Sequence, residues 1–421
     1  MIALADQRSF YASTECIFRP DLRGKPVAVL SNNDGCVVAM NAPAKAVGVK
    51  KFLPYFQQRE LMDREGVAVF SSNYELIGEV SRRIMATIAE LAPSPNIEVY
   101  SVDECFIDFE GVVPAQLKPV AQQLRDAVWR TQRIEMGVSV APTKTLAKLG
   151  QEATKALPQL NGVCVLEHPH QWQWLANRLA VSDVWGVGRQ LTKKLNSLGV
   201  ISVADLAALP RQQALELQGV TLARTVAELN GTPCIALEQA PPAKQQIICS
   251  RSFGQKLTAL DDLKQAVTAF AERGGQKLQR QDSIAQGITT FLETGRHIDN
   301  PYNNQRAGTL YPATSDSRHL AQAALTALES VYRKGYRYAK AGIILHGVEP
   351  EDKRGQMDCF ADDSPRSASL MNTLDAINHR YGQRMITLAR QCGAGRFSMR
   401  RDMKSPSYLT RWSDIPTLAI K

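Results

Sequence analysis

The chain has 421 residues, 44% of them hydrophobic and 22% charged, a globular composition too long for one ordinary core and suited to roughly two to four domains. Its surplus positive charge is one-sided: residues 1–243 hold 24 Lys+Arg and 24 Asp+Glu, while residues 244–421 hold 26 against 17, so the back half is the part suited to a polyanion. No apolar run reaches the roughly 18 residues of a membrane span, and eight scattered cysteines with no CxxC pair indicate neither a disulfide framework nor a zinc site.

In chain order, the opening MIALADQRSFYAS lacks the basic and apolar parts of a secretion signal, so a cytoplasmic location is expected. IALAD (2–6) and PVAVLS (26–31) read as short strands. Residues 74–91 place Leu76, Val80, Ile84, Ile88 and Leu91 at helical spacing. A strand pair, IEVYSV (97–102) and CFIDF (105–109), follows, with Asp103-Glu104 at its tip. A helix (115–132) and a strand (136–141) come next, then Thr143 in position to cap the helix KTLAKLGQEATK. This order predicts an α+β layer, a sheet covered by helices on one face. Residues 171–236 are helix-rich, and EQAPPAK (238–244) reads as a linker. Beyond it, strands at 247–253, 284–294 and 337–348 and helices at 260–280 and 316–333 predict a second α+β unit that partly repeats itself, as ferredoxin-like domains do. From about residue 350 the sequence is polar and reads as an extended tail with one helix at 369–380.

The carboxylates carry the chemistry. Two adjacent acids between apolar strands are costly unless neutralised, and divalent cations do this while binding substrate phosphates. Two such ions, about 4 Å apart, can hold the attacking and leaving oxygens of an in-line displacement. Alone, Asp103-Glu104 would be an ordinary acidic turn. What surrounds them alters that reading. Asp6-Gln7-Arg8-Ser9-Phe10-Tyr11-Ala12-Ser13, Tyr100-Ser101-Val102-Asp103-Glu104, and Gly137 to Lys148 (GVSVAPTKTLAK) together resemble the Y-family DNA polymerases. SNNDGCVVAMNAPAKAVGVK (31–50), FSSNYEL (70–76), DVWGVG (183–188) and IICSRSFG (247–254) are similar to the UmuC-like branch of that family, the catalytic subunits of bacterial DNA polymerase V and their plasmid and integrating-element homologues.

The resemblance implies a multidomain α+β right hand. Its parts would be palm and fingers at 1–170 (fingers about 12–75), thumb at 171–237, little finger at 244–348 and a partner-binding tail at 349–421. It implies template-directed synthesis across damaged DNA, within the SOS response. Asp6, Asp103 and Glu104 would be catalytic and, with Gln7, would hold two magnesium ions. Phe10, Tyr11, Lys45 and Lys155 would bind the nucleotide, Tyr11 excluding a 2′-hydroxyl sterically. Two positions depart from the wider family: Arg8 stands where many relatives carry a small or acidic residue, and Ala42 where many carry a phosphate-binding tyrosine.

Gly186 and Gly188, followed by Lys193 and Lys194, read as a helix-hairpin-helix turn that would bring backbone amides to a phosphate. Residues 244–350 hold 14 Lys+Arg against 9 acids, and Arg333, Lys334, Arg337 and Lys340 are interleaved with tyrosines, a pattern suited to tracking a DNA backbone. Gln356, Met357 and Phe360 resemble the pentapeptide that docks polymerases on the sliding clamp. The resemblance also implies a processed UmuD-type dimer and RecA as partners. A catalytically silent DNA-bound adaptor is the rival reading, with a palm-based nuclease or nucleotidyl cyclase behind it; the intact acids disfavour the first and the DNA-holding features the second.

Overall fold

The computed structural model describes residues 1–295, 298–352, 365–382, 385–391 and 397–417. It divides into two compact units, one formed by Met1–Pro241 with Asp402–Lys421, the other by Pro242–Arg401.

The first unit opens with β1 (Ile2–Gln7) and helix α1 (Phe10–Ile17). A small sheet follows, with β2 (Val27–Leu30) between antiparallel β3 (Val37–Met40) and parallel β4 (Ala68–Ser71), and with helices α2 (Ala42–Ala46) and α3 (Tyr55–Arg64) in the β3–β4 connection. Helix α4 (Tyr74–Leu91) begins at an Asn73 cap that accepts from Leu76 N at 3.3 Å. Then come β5 (Ile97–Val99), β6 (Glu104–Asp108), α5 (Pro114–Gln132), β7 (Met136–Ala141), α6 (Lys144–Ala156) and β8 (Val163–Val165). The main sheet runs β5-β6-β1-β7-β8.

Helices cover both faces of this sheet rather than the one expected. Ala3, Ala5, Cys105, Ile107, Val138 and Val140 meet α4 and α5, whereas Leu4, Phe106 and Ala141 meet Leu146, Leu149 and Ala153 of α6. This is why IALA is apolar at every position: a strand buried on both sides loses the alternation that marks a half-exposed one. Thr143 caps α6 as expected, its Oγ1 accepting from Leu146 N at 3.2 Å.

Behind α6 lie α7 (Pro169–Ala176), α8 (Arg189–Ser197), α9 (Val203–Ala207) and α10 (Arg211–Leu229). Glu228, fully buried near the end of α10, holds this group to the sheet. One carboxylate oxygen accepts from Thr145 N and Oγ1 at 2.9 and 2.7 Å, the other from Cys234 N and Ile235 N at 3.0 Å each. The negative charge sits at the N-terminus of α6, where unpaired amides and the helix dipole favour it.

The second unit is β9 (Ile247–Leu257), α11 (Leu260–Gln279), β10 (Ser283–Thr294), β11 (Asn303–Thr314), α12 (Ser317–Val331) and β12 (Tyr338–Pro350), with antiparallel sheet order β11-β10-β12-β9. The βαββαβ order is the ferredoxin-like repeat that the sequence suggested. Strand β11 was not legible in the sequence, because it is a mostly exposed edge without a buried stripe. Close approach of α11 to α12 depends on Gly275, where a Cβ would lie 2.4 Å from Ser317 Oγ. Helix α13 (Pro365–Tyr381) also belongs here, while residues 402–417 rejoin the first unit.

Candidate active site

The pleat of the main sheet brings the acids together. Asp6 lies opposite Glu104 in the β1–β6 register, two residues along from Leu4 and Phe106, so both acids share the face that those side chains turn towards α6. Gln7 N donates to Asp103 O at 2.9 Å, which fixes the β5–β6 tip beside the end of β1. Asp103 is oriented by Ser101, whose Oγ donates to its carboxylate at 2.6 Å.

Like charges facing each other across strands destabilise a sheet unless countered. Helix α6 supplies the counter-charges. Lys155 Nζ lies 3.0 Å from Asp6 Oδ2, Lys148 Nζ 2.6 Å from Glu104 Oε2, and Lys144 is paired with Glu98. Burial pushes the Asp6 carboxyl above its ordinary range, Lys155 pulls it back, and Glu104 and Asp103 push it up again. Burial works against the Lys155 charge, but Asp6 and Glu152 outweigh it and raise its pKa. The donor set is all carboxylate oxygen, the chemistry a hard divalent cation takes. Among the described residues no three acid, histidine or cysteine side chains form a ready-made cage.

Lys148, which the sequence analysis left without a role, sits in an aromatic surround, its ammonium 4.6 Å from the Tyr100 ring centre, 5.7 Å from Phe106 and 5.8 Å from Trp185. Trp185 Nε1 also donates to Tyr100 Oη at 3.2 Å. The signal was available: Lys148 and Lys155 are seven residues apart, two helical turns, and so share one face of α6.

Above the acids, half-buried Tyr11 meets Tyr74 edge-on at 6.5 Å and 90°. Burial raises the Tyr11 phenol pKa, with Tyr74 and Asp103 adding to the rise. Phe10 is only 2% exposed and belongs to the core beneath, so its side chain faces Leu76 and Ile77 rather than the site. Gln7 is likewise buried; its Nε2 reaches Met136 Sδ at 3.4 Å, and only its backbone faces the acids' strand tip. Lys45 is exposed in the last turn of α2, whose Asn41 cap accepts from Ala44 N at 3.1 Å. The Arg8 guanidinium turns to Thr154 O at the end of α6, so this unusual residue satisfies a helix terminus rather than opposing the acids.

The DNA-holding candidates separate into two kinds. Gly186 takes a left-handed φ of 89°, Gly188 caps α8, both are exposed, and a Cβ at either would meet nothing within 4 Å. Lys193 is exposed, whereas Lys194 donates to Leu217 O at 2.7 Å, beside the kink at Gln218-Gly219 in α10. In the second unit Lys334 and Arg337 are exposed, Arg333 lies 5.0 Å over the Tyr302 ring, and Lys340 pairs with Glu293 at 3.6 Å. The interleaved tyrosines pack inward, with Tyr338 fully buried and Tyr336 4.7 Å from Tyr302. Gln356, Met357 and Phe360 lie outside the described residues.

The model of the impB/mucB/samB family matches residues 5–152, that of the family's C-terminal domain residues 244–359, and a domain of unknown function, DUF4113, residues 368–418. The chain is 42% identical to protein UmuC of Salmonella typhimurium and 45% identical to its protein ImpB, in each case over 99% of both chains. Identity to protein MucB of Escherichia coli is 43% over 100% of both. DNA polymerase IV of Oceanobacillus iheyensis is 25% identical over 91% of this chain and 90% of its own. In fold the chain is similar to an insertion ternary complex of Dbh DNA polymerase, TM-score 0.53, and to a Y-family polymerase chimera of Dbh and Dpo4, TM-score 0.64. Each is 20% identical, covering 83% of this chain and 100% of the other.

Proposed function

The chain belongs to the impB/mucB/samB family of Y-family polymerases, and from that premise we propose that Asp6, Asp103 and Glu104 are the carboxylates on which it extends DNA. It is a DNA-directed DNA polymerase of the translesion type. The observation that carries the assignment is the register that sets Asp6 beside Glu104, with the Asp103 tip fastened to Gln7.

The family uses divalent metal ions. The ions here would be two magnesium ions held by the three carboxylates and the Gln7 carbonyl, supplying charge neutralisation for the attacking primer hydroxyl and the leaving pyrophosphate. The protein's own groups do the rest. Lys155 and Lys45 would meet the triphosphate, and Lys155, lodged against Asp6, holds the acids' charge in check until nucleotide arrives. Tyr11 would lie under the sugar and reject a 2′-hydroxyl, braced edge-on by Tyr74, while Phe10 acts only by seating Tyr11 from below.

The domain division proposed is palm and fingers at 1–170, thumb at 171–237, little finger at 244–348 and tail at 349–421. Gly186, Gly188 and Lys193, with Lys194 as support, would hold the duplex from the thumb; Arg333, Lys334, Arg337 and Lys340 would follow its backbone from the little finger. Contact without base reading is what copying any template requires. Gln356, Met357 and Phe360 would dock on the sliding clamp, and a processed UmuD-type dimer and RecA would be partners in the cytoplasm. No helix among the described residues is long and apolar enough to cross a membrane.

The deciding measurement is primer extension with magnesium on a template with an abasic site, comparing wild type with Asp103→Ala in the presence of those partners. Extension by wild type, lost in the variant, is expected. No extension by wild type would favour the silent adaptor.

A further inference from the structure

Residues 402–409 return to the first unit and lie along the seam between α1, β4 and the start of α4. Ser71 N donates to Met403 O at 3.0 Å and Met403 N to Ser71 Oγ at 3.0 Å, and Lys404 forms a parallel bridge with Ser71. The segment thereby extends the edge of the small sheet, as an added strand does. Asp402 N donates to Asp34 Oδ2 at 3.0 Å, Lys404 Nζ lies 3.1 Å from Glu75 Oε2, and Tyr408 stacks on Phe18 of the α1–β2 connection at 4.7 Å and 11°.

Ser405 is at the centre of these contacts. Asn73 Nδ2 donates to its Oγ at 2.9 Å, which leaves the Ser405 hydroxyl hydrogen free to point elsewhere. The carboxyl of Glu15 is the buried acid on which it acts. Glu15, on α1, is fully buried, and among the described residues neither carboxylate oxygen makes a well-formed hydrogen bond. Burial pushes its pKa up to about 7, and Ser405 and Lys404 are the groups that pull it down.

These contacts close a circuit around the sugar-facing pair. Glu15 stands one helical turn after Tyr11 on the same side of α1. Asn73 immediately precedes Tyr74, and Tyr74 meets Tyr11 edge-on while its Oη donates to Asn32 Oδ1 at 3.0 Å. The cap of α4 is thus fastened to a serine more than three hundred residues away in sequence, and the buried acid of α1 lies under the influence of the same serine.

We propose that residues 402–409 are a positioning strap for sugar selection, with Ser405 fixing the angle between Tyr11 and Tyr74 by holding Glu15 and Asn73 together. The proposal rests on Tyr11 being the sugar gate. It gives part of the segment matched by a domain of unknown function a task in the reaction rather than in recruitment.

The test is the ratio of ribonucleotide to deoxyribonucleotide kcat/KM in primer extension by the full chain. One lost hydrogen bond at about 1 kcal/mol loosens the pair enough for roughly a fivefold rise in that ratio in S405A. Ser405→Thr, which keeps the hydroxyl, is expected to stay at the wild-type ratio. A merely structural role would lower both nucleotides together and leave the ratio unmoved. Should S405A melt below the assay temperature, Asn73→Ser provides the same test, since a serine still caps the helix but is too short to reach Ser405. An unchanged ratio in either folded variant, alongside a raised ratio in Tyr11→Ala, overturns the strap. An unchanged ratio in Tyr11→Ala overturns the gate itself, and the strap with it.

Discussion

Replacing Glu228 by Gln changes one buried oxygen into an NH2 group while keeping side-chain volume, so no cavity enters the accounting. Its carboxylate accepts four hydrogen bonds, two from Thr145 and two from the amides of Cys234 and Ile235. A glutamine amide can accept through only one of its two atoms. Whichever way it turns, one pair of donors is left facing another donor in a site closed to water. Hydrogen bonds to a charged group are worth about 1.5–3 kcal/mol each, so losing two costs about 3–5 kcal/mol after partial relaxation. At roughly 2–4 °C per kcal/mol for a unit of this size, the melting transition of the first unit should fall by about 6–20 °C in calorimetry. Glu79→Gln is the control: its carboxylate holds Arg82 and Arg83 at the surface, where ion pairs contribute little, and its melt should stay close to wild type. If Glu228→Gln melted within about 2 °C of wild type, the carboxylate would not be the fastening between α10 and α6, and the reasoning would fail.

Three further outcomes are expected. Glu15 carries its proton more tightly folded than unfolded, about 7 against an ordinary 4.5, so its burial costs nothing below about pH 4.5 and costs progressively more as pH rises through 7. Glu15→Gln should therefore gain on wild type in urea unfolding by up to about 3 kcal/mol between pH 5 and 8; parallel pH profiles would refute the burial argument. Lys148→Met removes the cation shared by Glu104 and three aromatic rings, and kcat/KM for nucleotide insertion should drop about tenfold or more at unchanged fold, a change under twofold counting against it. Replacing Gln356 and Phe360 together by Ala should weaken binding to a sliding clamp in surface plasmon resonance while basal extension persists, and equal affinity would remove that motif from the account.

The elements readable in the sequence were those with a one-sided apolar pattern. The stripe from Leu76 to Ile88 gave α4, and the Thr143 cap gave the start of α6. The acids were legible by type and spacing, since their strand positions already imply a shared face once β1 pairs with β6. Other features depend on partners that spacing cannot name. The apolar run in β1 showed burial but not that α6 covers its second face. Strand β11 is held by backbone bonds to β10, with few inward side chains to announce it. The tyrosines between Tyr332 and Tyr338 looked like a nucleic-acid surface because the sequence shows aromatics beside bases, not which of them turn inward. Residues 402–409 are polar and read as tail; their order comes from Ser71, Asn73 and Phe18, and nothing local foretells it.

The join between Ser71 and Met403 spans 332 positions along the chain. During synthesis β2, β3 and β4 are therefore complete long before their last neighbour exists, and β4 leaves the ribosome as an open sheet edge. That edge can be closed only after the whole second unit has been translated. A chain halted between residues 156 and 402 would contain every acid and lysine of the active site, yet would carry an unsheathed strand edge of the kind prone to mispairing. Closure of the small sheet thus waits on residue 403, and an error-prone copier completes this fold only after its second unit has been made.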